Sequence, residues 1–312
     1  MKIFDCFTFY NEIELLKIRL EILNPYVDKF VIVELNKTHR GIDKDLNFKK
    51  HINEFLKYMD KIIYIVPDKV PDYKGEGDWT IENFQRNSIT LGLKECQPDD
   101  IIMISDLDEI PNPQIFKDCS AVKYHLSDFK TLLCAGRKKA IIQKANQIFK
   151  NDIKNNKSIK SGRFSWVDLL DKNRFVCDQE CYYYYMNCRR EEEWYGTTIS
   201  KYKNMISPQN MRNNRFGMVH MEKSGWHFSY LGGVEKIKQK LVSIIDDRSS
   251  VNEKMRKCLE DDEYIMYCMQ KGINIFSNVD EPAEYHFIDI NDIGIDNINK
   301  IEKEHPTLFY KN

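Results

Sequence analysis

Apolar and polar positions along the first hundred residues fall into blocks that switch between strand and helix periods. Lys2 to Phe9 is a short, mainly apolar run and reads as a strand. Asn11 stands where a helix cap belongs, with Glu14 three residues later in capping-box position. Ile13, Leu16, Leu20 and Leu23 then recur on one face until Asn24-Pro25 ends the pattern. Lys29 to Leu35 is a second strand, Ile52, Phe55, Leu56 and Met59 have helical spacing, and Lys61 to Val66 is a β-branched run closed by Pro67. A polar loop over 71–79 leads to a helix over 80–95, with Ile81, Phe84 and Leu91 inward and Gln85, Arg86 and Asn87 on another face. The four apolar residues Ile101-Ile-Met-Ile104, between a Pro-Asp-Asp turn and a Pro-Asn-Pro stop, predict a strand buried on both faces. Such βαβ alternation predicts an α/β chain with a mainly parallel sheet and right-handed crossovers.

The pattern weakens over 120–175 and returns with Cys181 to Asn187 and Trp194 to Tyr202, which read as two antiparallel strands. Ser224 to Gly233 is a Gly-punctuated stretch before a helix over 234–245, whose inner face is Ile237, Leu241 and Ile244; from 246 the chain is polar, helical at first and then loop-like. Four segments follow from this: an α/β half over 1–118, an insertion over 119–177, strands and a helix over 178–245, and an extension over 246–312.

Composition narrows the class. With 312 residues the chain can bury a substantial core, and a formal net charge of −1 gives no global field for nucleic acid. One segment is locally basic: nine lysines and arginines, from Arg137 to Arg163, face only Asp152 between residues 136 and 163, which offers a route to an acceptor or to peripheral contact with a membrane surface. The nine cysteines include no CxxC pair, and buried free thiols in a reducing cytoplasm account for them better than disulfides or zinc. No stretch of about 20 apolar residues and no signal peptide is expected.

The candidate chemistry lies where the 101–106 strand ends. Alternate residues of a strand share a face, so Asp106 and Asp108 can converge on one hard cation with Glu109 beside them. Carboxylates suit Mg²⁺ or Mn²⁺, and such ions take their remaining ligands from waters and substrate phosphates. Open α/β sheets place ligands outside the carboxyl ends of their strands, which is where this triplet falls. Arg86, on the helix that feeds the strand, has a route to a nucleotide phosphate. His227, in a Gly-Trp-His turn, can complete the metal site or hydrogen-bond an acceptor hydroxyl or the diphosphate.

With these stretches together the sequence resembles glycosyltransferase family 17. The resemblance is carried by Asn11-Glu12-x-Glu-Leu-Leu, by Phe30-Val-Ile-Val-Glu34-x-Asn36-x-Thr38 with Gly41, and by Trp79 and Arg86. It continues in Asp99-Asp-Ile-Ile-x-Ile-Ser-Asp106-x-Asp108-Glu109-Ile-Pro111 and in Gly225-Trp226-His227-x-Ser229 with Lys240-Leu241. It covers roughly residues 1–118 and 178–245. It implies a GT-A type, Rossmann-like nucleotide-sugar transferase fold with an antiparallel extension and an inverting, metal-dependent reaction. The donor implied is a UDP-sugar, UDP-N-acetylglucosamine first, and the acceptor a glycan or glycoconjugate. Glu34 and Thr38 would then lie near uracil and ribose, Arg86 near the diphosphate, Asp106 on the ribose or metal, and Asp108 on the metal. Inversion needs a carboxylate to take the acceptor proton, for which Glu109 is the first candidate and Glu235 the second. Two rival readings are a nucleotidyltransferase that makes a sugar nucleotide, and a carbohydrate-binding protein without catalysis. Against the first, Phe7-Thr-Phe-Tyr-Asn11 has no glycine for a phosphate loop.

Overall fold

In a computed structural model, which describes residues 1–117, 170–243, 256, 258–276 and 284–311, the apolar runs of the first half become four parallel strands. These are β1 (Ile3–Phe9), β2 (Lys29–Glu34), β3 (Ile62–Ile65) and β4 (Ile101–Asp106), in the spatial order β3-β2-β1-β4. The middle of β1, β2 and β4 is buried on both faces, which is why their sequences run apolar without alternation.

The helices of this half are α1 (Ile13–Leu23), α2 (Asn47–Lys50), α3 (Thr80–Asn87) and α4 (Gln114–Lys117). The apolar face expected for α1 is buried, but its cap differs. The helix starts one residue later than Asn11 would set it, with Glu12 at the N-cap position folded back onto the Asn11 N–H. The 80–95 helix breaks after Asn87 into a 3₁₀ turn over Ser88–Gly92, leaving Leu91 exposed, while Gln85 and Arg86 are buried. The 52–59 stretch is likewise 3₁₀, with Phe55 inward and Leu56 out.

The second half extends the same sheet. Its strands are β5 (Glu109–Pro111), β6 (Phe175–Tyr183), β7 (Cys188–Lys201), β8 (Val219–Met221), β9 (Gly225–Ser229) and β10 (Tyr285–Phe287). From β4 the path runs β7-β6-β9-β5, with β7 antiparallel to β4, β6 antiparallel to β7, β9 parallel to β6 and β5 antiparallel to β9. Strand β8 pairs with β6, and β10 with β7. The fold is therefore mixed α/β with a parallel half and a largely antiparallel extension. Strand β5 ends this path, yet only Leu107 and Asp108 separate it from β4, so the path must curl back on itself and bring its far edge to the turn at residues 106–109. At the β5–β9 pairing a Cβ on Gly225 would lie 2.4 Å from the Ile110 carbonyl oxygen, so only glycine permits the approach.

Helices α5 (Pro208–Asn213), α6 (Gly233–Ser243), α7 (Asp262–Lys271) and α8 (Ile298–Glu304) complete the described chain. Ile237 and Leu241 of α6 pack with Ile265, Cys268 and Tyr285 in a second apolar cluster. Strand β10 falls in the stretch expected to be loop. Among the described residues the seven cysteines are buried and free, as expected, and no helix is long and apolar enough to cross a membrane. The basic segment at 136–163 and Ile244 lie outside the described residues.

One buried side chain ties the halves of this fold to the turn. Arg19 of α1 is fully buried and pairs with Asp5 of β1 through Nε at 2.8 Å and Nη2 at 2.6 Å. Its Nη1 donates to the carbonyls of Asp106, Leu107 and Glu109 at 3.1, 3.0 and 2.9 Å, and Nη2 reaches Ser105 Oγ at 2.7 Å. Arg19→Met should destabilise the protein by about 3–5 kcal/mol, the scale for stranding a buried charge such as Asp5. Chemical denaturation measures this, and a loss near zero would show that the pair is dispensable.

Candidate functional site

The turn that Arg19 holds projects three carboxylates. Asp106 ends β4 opposite Thr8 of β1, beside the point where the order of parallel strands reverses direction, and Thr8 Oγ1 donates to its Oδ1 at 3.1 Å. Arg86 Nη2 donates to the same oxygen at 2.8 Å, and Arg212 Nη2 lies 3.1 Å from Oδ2. Burial alone would raise the Asp106 carboxyl, but Arg86 and Arg212 outweigh it and hold the group well below the usual carboxylate range.

Asp108 faces a different set. Lys240 Nζ of α6 donates to its Oδ2 at 2.9 Å, and His227 Nε2 of β9 lies 3.7 Å from that oxygen. Here too burial works upward and is overcome, by Lys240 first and His227 next, so Asp108 stays ionised. His227 is 6 % exposed, stacks on Trp194 at a centroid distance of 4.5 Å, and has Nδ1 3.9 Å from Cys181 Sγ. It is brought beside the turn because it is the register partner of Glu109 across β5 and β9.

Glu109 turns inward. Its Oε2 accepts the Asp106 N–H at 3.0 Å, and Oε1 accepts Trp194 Nε1 at 2.6 Å and Arg212 Nη1 at 2.5 Å. With no exposed surface and three donors, this carboxylate braces the turn. Glu235, exposed on the first turn of α6, lines neither of the cavities described below. Glu34 is also enclosed: Lys44 Nζ, the N–H groups of Asn47 and Phe48, and the Tyr64 hydroxyl reach it at 2.9, 2.6, 3.0 and 2.8 Å. It anchors the start of α2. Thr38 accepts the Gly41 N–H at 2.9 Å in a turn where Gly41 has φ +76, and it does line a cavity.

Two cavities flank the turn. One, of about 180 Å³, lies at the carboxyl ends of β1, β2 and β4 and is walled by Thr8, Thr38, Gln85, Arg86 and Asp106. The other, of about 190 Å³, is walled by Asn11, Glu14, Tyr230, Lys236 and Thr307. Glu12, Asp108 and Lys240 line both.

A hard divalent ion fits this donor set only at Asp108. Its Oδ1 receives no hydrogen bond among the described residues, whereas both oxygens of Asp106 are engaged. No three His, Cys, Asp or Glu side chains among the described residues are gathered to hold a metal. Asp108 with waters and phosphate oxygens is the arrangement Mg²⁺ tolerates.

Sequence reasoning missed Arg212, Trp194 and Arg19 as parts of this site, and gave Lys240 and Glu12 no role. Arg19 carries a readable signal, since it shares the apolar face of α1 with Leu16, Leu20 and Leu23.

The charge pattern has an acid-limb consequence. Asp106 and Asp108 are held below their unfolded values, so their stabilisation is present above about pH 3.9 and is lost as pH falls further. Asp106→Asn should lower stability at neutral pH and flatten that acid slope. Urea denaturation over roughly pH 3 to 7 measures both, and an unchanged slope would remove Asp106 from the account.

Residues 1–129 match the family described as Glycosyltransferase family 17. Similar curated proteins are the beta-1,4-mannosyl-glycoprotein 4-beta-N-acetylglucosaminyltransferases of Homo sapiens and Rattus norvegicus. The human protein is 30% identical over 109 residues, which is 32% of this chain and 20% of that protein. The rat protein is 28% identical over 118 residues, 35% of this chain and 22% of that protein. The chain thus spans about a fifth of the length of the curated relatives it matches.

Proposed function

We propose that this chain, whose residues 1–129 carry the glycosyltransferase family 17 match, is an inverting glycosyltransferase. It moves a sugar, N-acetylglucosamine first, from a UDP-sugar to a hydroxyl of a glycan or glycoconjugate. The observation that carries this reading is the cavity at the strand ends, where Asp106, Asp108, Arg86 and Lys240 converge beside Thr8 and Thr38. A nucleoside diphosphate suits that wall: hydroxyl and carboxylate groups meet the ribose, and fixed cations meet the phosphates. The similar proteins, both named as N-acetylglucosaminyltransferases, support N-acetylglucosamine as the transferred sugar.

Charge develops on the departing diphosphate as the glycosidic bond to it breaks. Arg86, buried and already oriented by Glu82 at 3.1 Å and Gln209 at 2.6 Å, provides a preorganised positive group for that charge. Lys240, on the opposite side at Asp108, provides a second. A divalent ion at Asp108, Mn²⁺ or Mg²⁺, would add Lewis-acid stabilisation of the same leaving group. Glu109 positions rather than reacts, because it locks Arg212 and the Asp106 amide.

UDP should raise the melting temperature where GDP and CMP do not. Asp108→Asn should abolish transfer and Mn²⁺-dependent UDP binding with the fold intact. Stabilisation by GDP or CMP and none by UDP would overturn the nucleotide assignment, and full activity in excess EDTA would overturn the metal.

A further inference from the structure

A transfer between two substrates needs two places and a proton acceptor between them. The cavities on either side of the 106–109 turn share one wall, made of Glu12, Asp108 and Lys240. Asp108 and Lys240 are occupied with each other at 2.9 Å, and Asp108 also faces His227. Glu12 is different. Its carboxylate takes a single hydrogen bond among the described residues, from the Asn11 N–H at 2.9 Å, and it stands half-buried at the head of α1 between the two spaces. Of the other carboxylates of the region, Glu109 is enclosed, Glu82 pairs with Arg86, Glu235 lines neither cavity, and Glu14 lines the second cavity but not the first.

The second cavity has the lining of a sugar site. Asn11, Glu14 and Thr307 offer hydrogen-bonding groups to hydroxyls, while Leu15 and the Tyr230 ring offer apolar surface to a pyranose C–H face. Tyr230 holds φ +57, a conformation rare for a residue with a side chain, in the turn that leads from β9 to α6. At about 190 Å³ the space is smaller than the roughly 300–1,000 Å³ of drug-sized sites, so it takes a terminal sugar residue rather than an extended glycan.

We propose that this second cavity seats the acceptor sugar and that Glu12 is the general base for transfer. The acceptor oxygen bonds to the anomeric carbon as that carbon's bond to the diphosphate oxygen breaks. The electron pair leaves with UDP, and the acceptor proton passes to a Glu12 carboxylate oxygen. The inference rests on the glycosyl-transfer reading, and its test separates the two.

The probes are UDP, UDP-N-acetylglucosamine and the methyl β-glycosides of mannose, N-acetylglucosamine, galactose and glucose. Saturation-transfer NMR in the presence of UDP should show at least one glycoside bound to the wild-type chain and lost in Thr307→Trp, which fills the second cavity without touching the first. Glu12→Gln should keep glycoside binding and bind UDP no more weakly than wild type. Its release of UDP from UDP-N-acetylglucosamine, to that glycoside or to water, should fall by about 10²–10⁴-fold. Glycoside binding that survives Thr307→Trp, binding of none of the four, or undiminished UDP release in Glu12→Gln would overturn the inference. A wild-type chain that neither binds UDP nor releases it would overturn the glycosyl-transfer reading instead.

Discussion

The buried guanidinium of Arg19 is the constraint on which the rest of the structure depends. A charge with no exposed surface is tolerable only when it is paired and its remaining donors are satisfied. Here Asp5 provides the pairing, and Ser105 with three carbonyls of the turn takes the other donors. Those carbonyls belong to Asp106, Leu107 and Glu109; from the turn so held the Asp106 side chain reaches the strand-end cavity, while Glu109 points inward to Arg212 and Trp194. The core interaction thereby sets the backbone on which the site's carboxylates stand, and β9 clamps the same turn through the Phe228 N–H on the Asp108 carbonyl at 2.8 Å.

Around that backbone each carboxylate meets protein cations: Arg86 and Arg212 at Asp106, Lys240 at Asp108, Arg212 again at Glu109. These charges are fixed before any ligand arrives. In the strand-end cavity the diphosphate of the proposed donor would find cations already desolvated and oriented, which is where electrostatic stabilisation of a leaving group is most effective. The same neutralisation explains why Asp106 is a poor site for a metal while Asp108, with one oxygen open, is a better one.

Much of the fold was legible in the chain because buried parallel strands and an amphipathic α1 leave strong local periodicities. The Asp106-x-Asp108-Glu109 stretch was equally legible, being polar residues at the end of an apolar strand. What local patterns do not reveal is direction. Glu34 and Glu109 each sit at a strand terminus next to the site, yet both turn inward, one to cap Asn47 and Phe48 and the other to bind Arg212 and Trp194. Arg212 lies in the run Met211-Arg-Asn-Asn-Arg215, where nothing in the spacing separates it from an ordinary solvated helix residue. Its partners are about a hundred residues away in sequence, and only the curl of the sheet brings them together. Strand β10 was missed for a related reason, since a three-residue strand finds its stability in its pairing with β7 and not in its own pattern.

The curl also divides the site by origin. Most of the strand-end wall, including Thr8, Thr38, Arg86, Asp106 and Asp108, comes from the stretch that matches the family. The groups that close the site from the other side, Arg212, His227, Tyr230 and Lys240, come from residues after that match ends. A donor nucleotide would be recognised mainly by the first set, whereas an acceptor must approach through surfaces that include the second. Since the shared wall contains Glu12 and Asp108 from the matched stretch and Lys240 from outside it, the proposed reaction would take place where the two sets meet. On the proposed function, acceptor choice would then drift with the later segments while the strand-end geometry, held from inside by Arg19, stays in place.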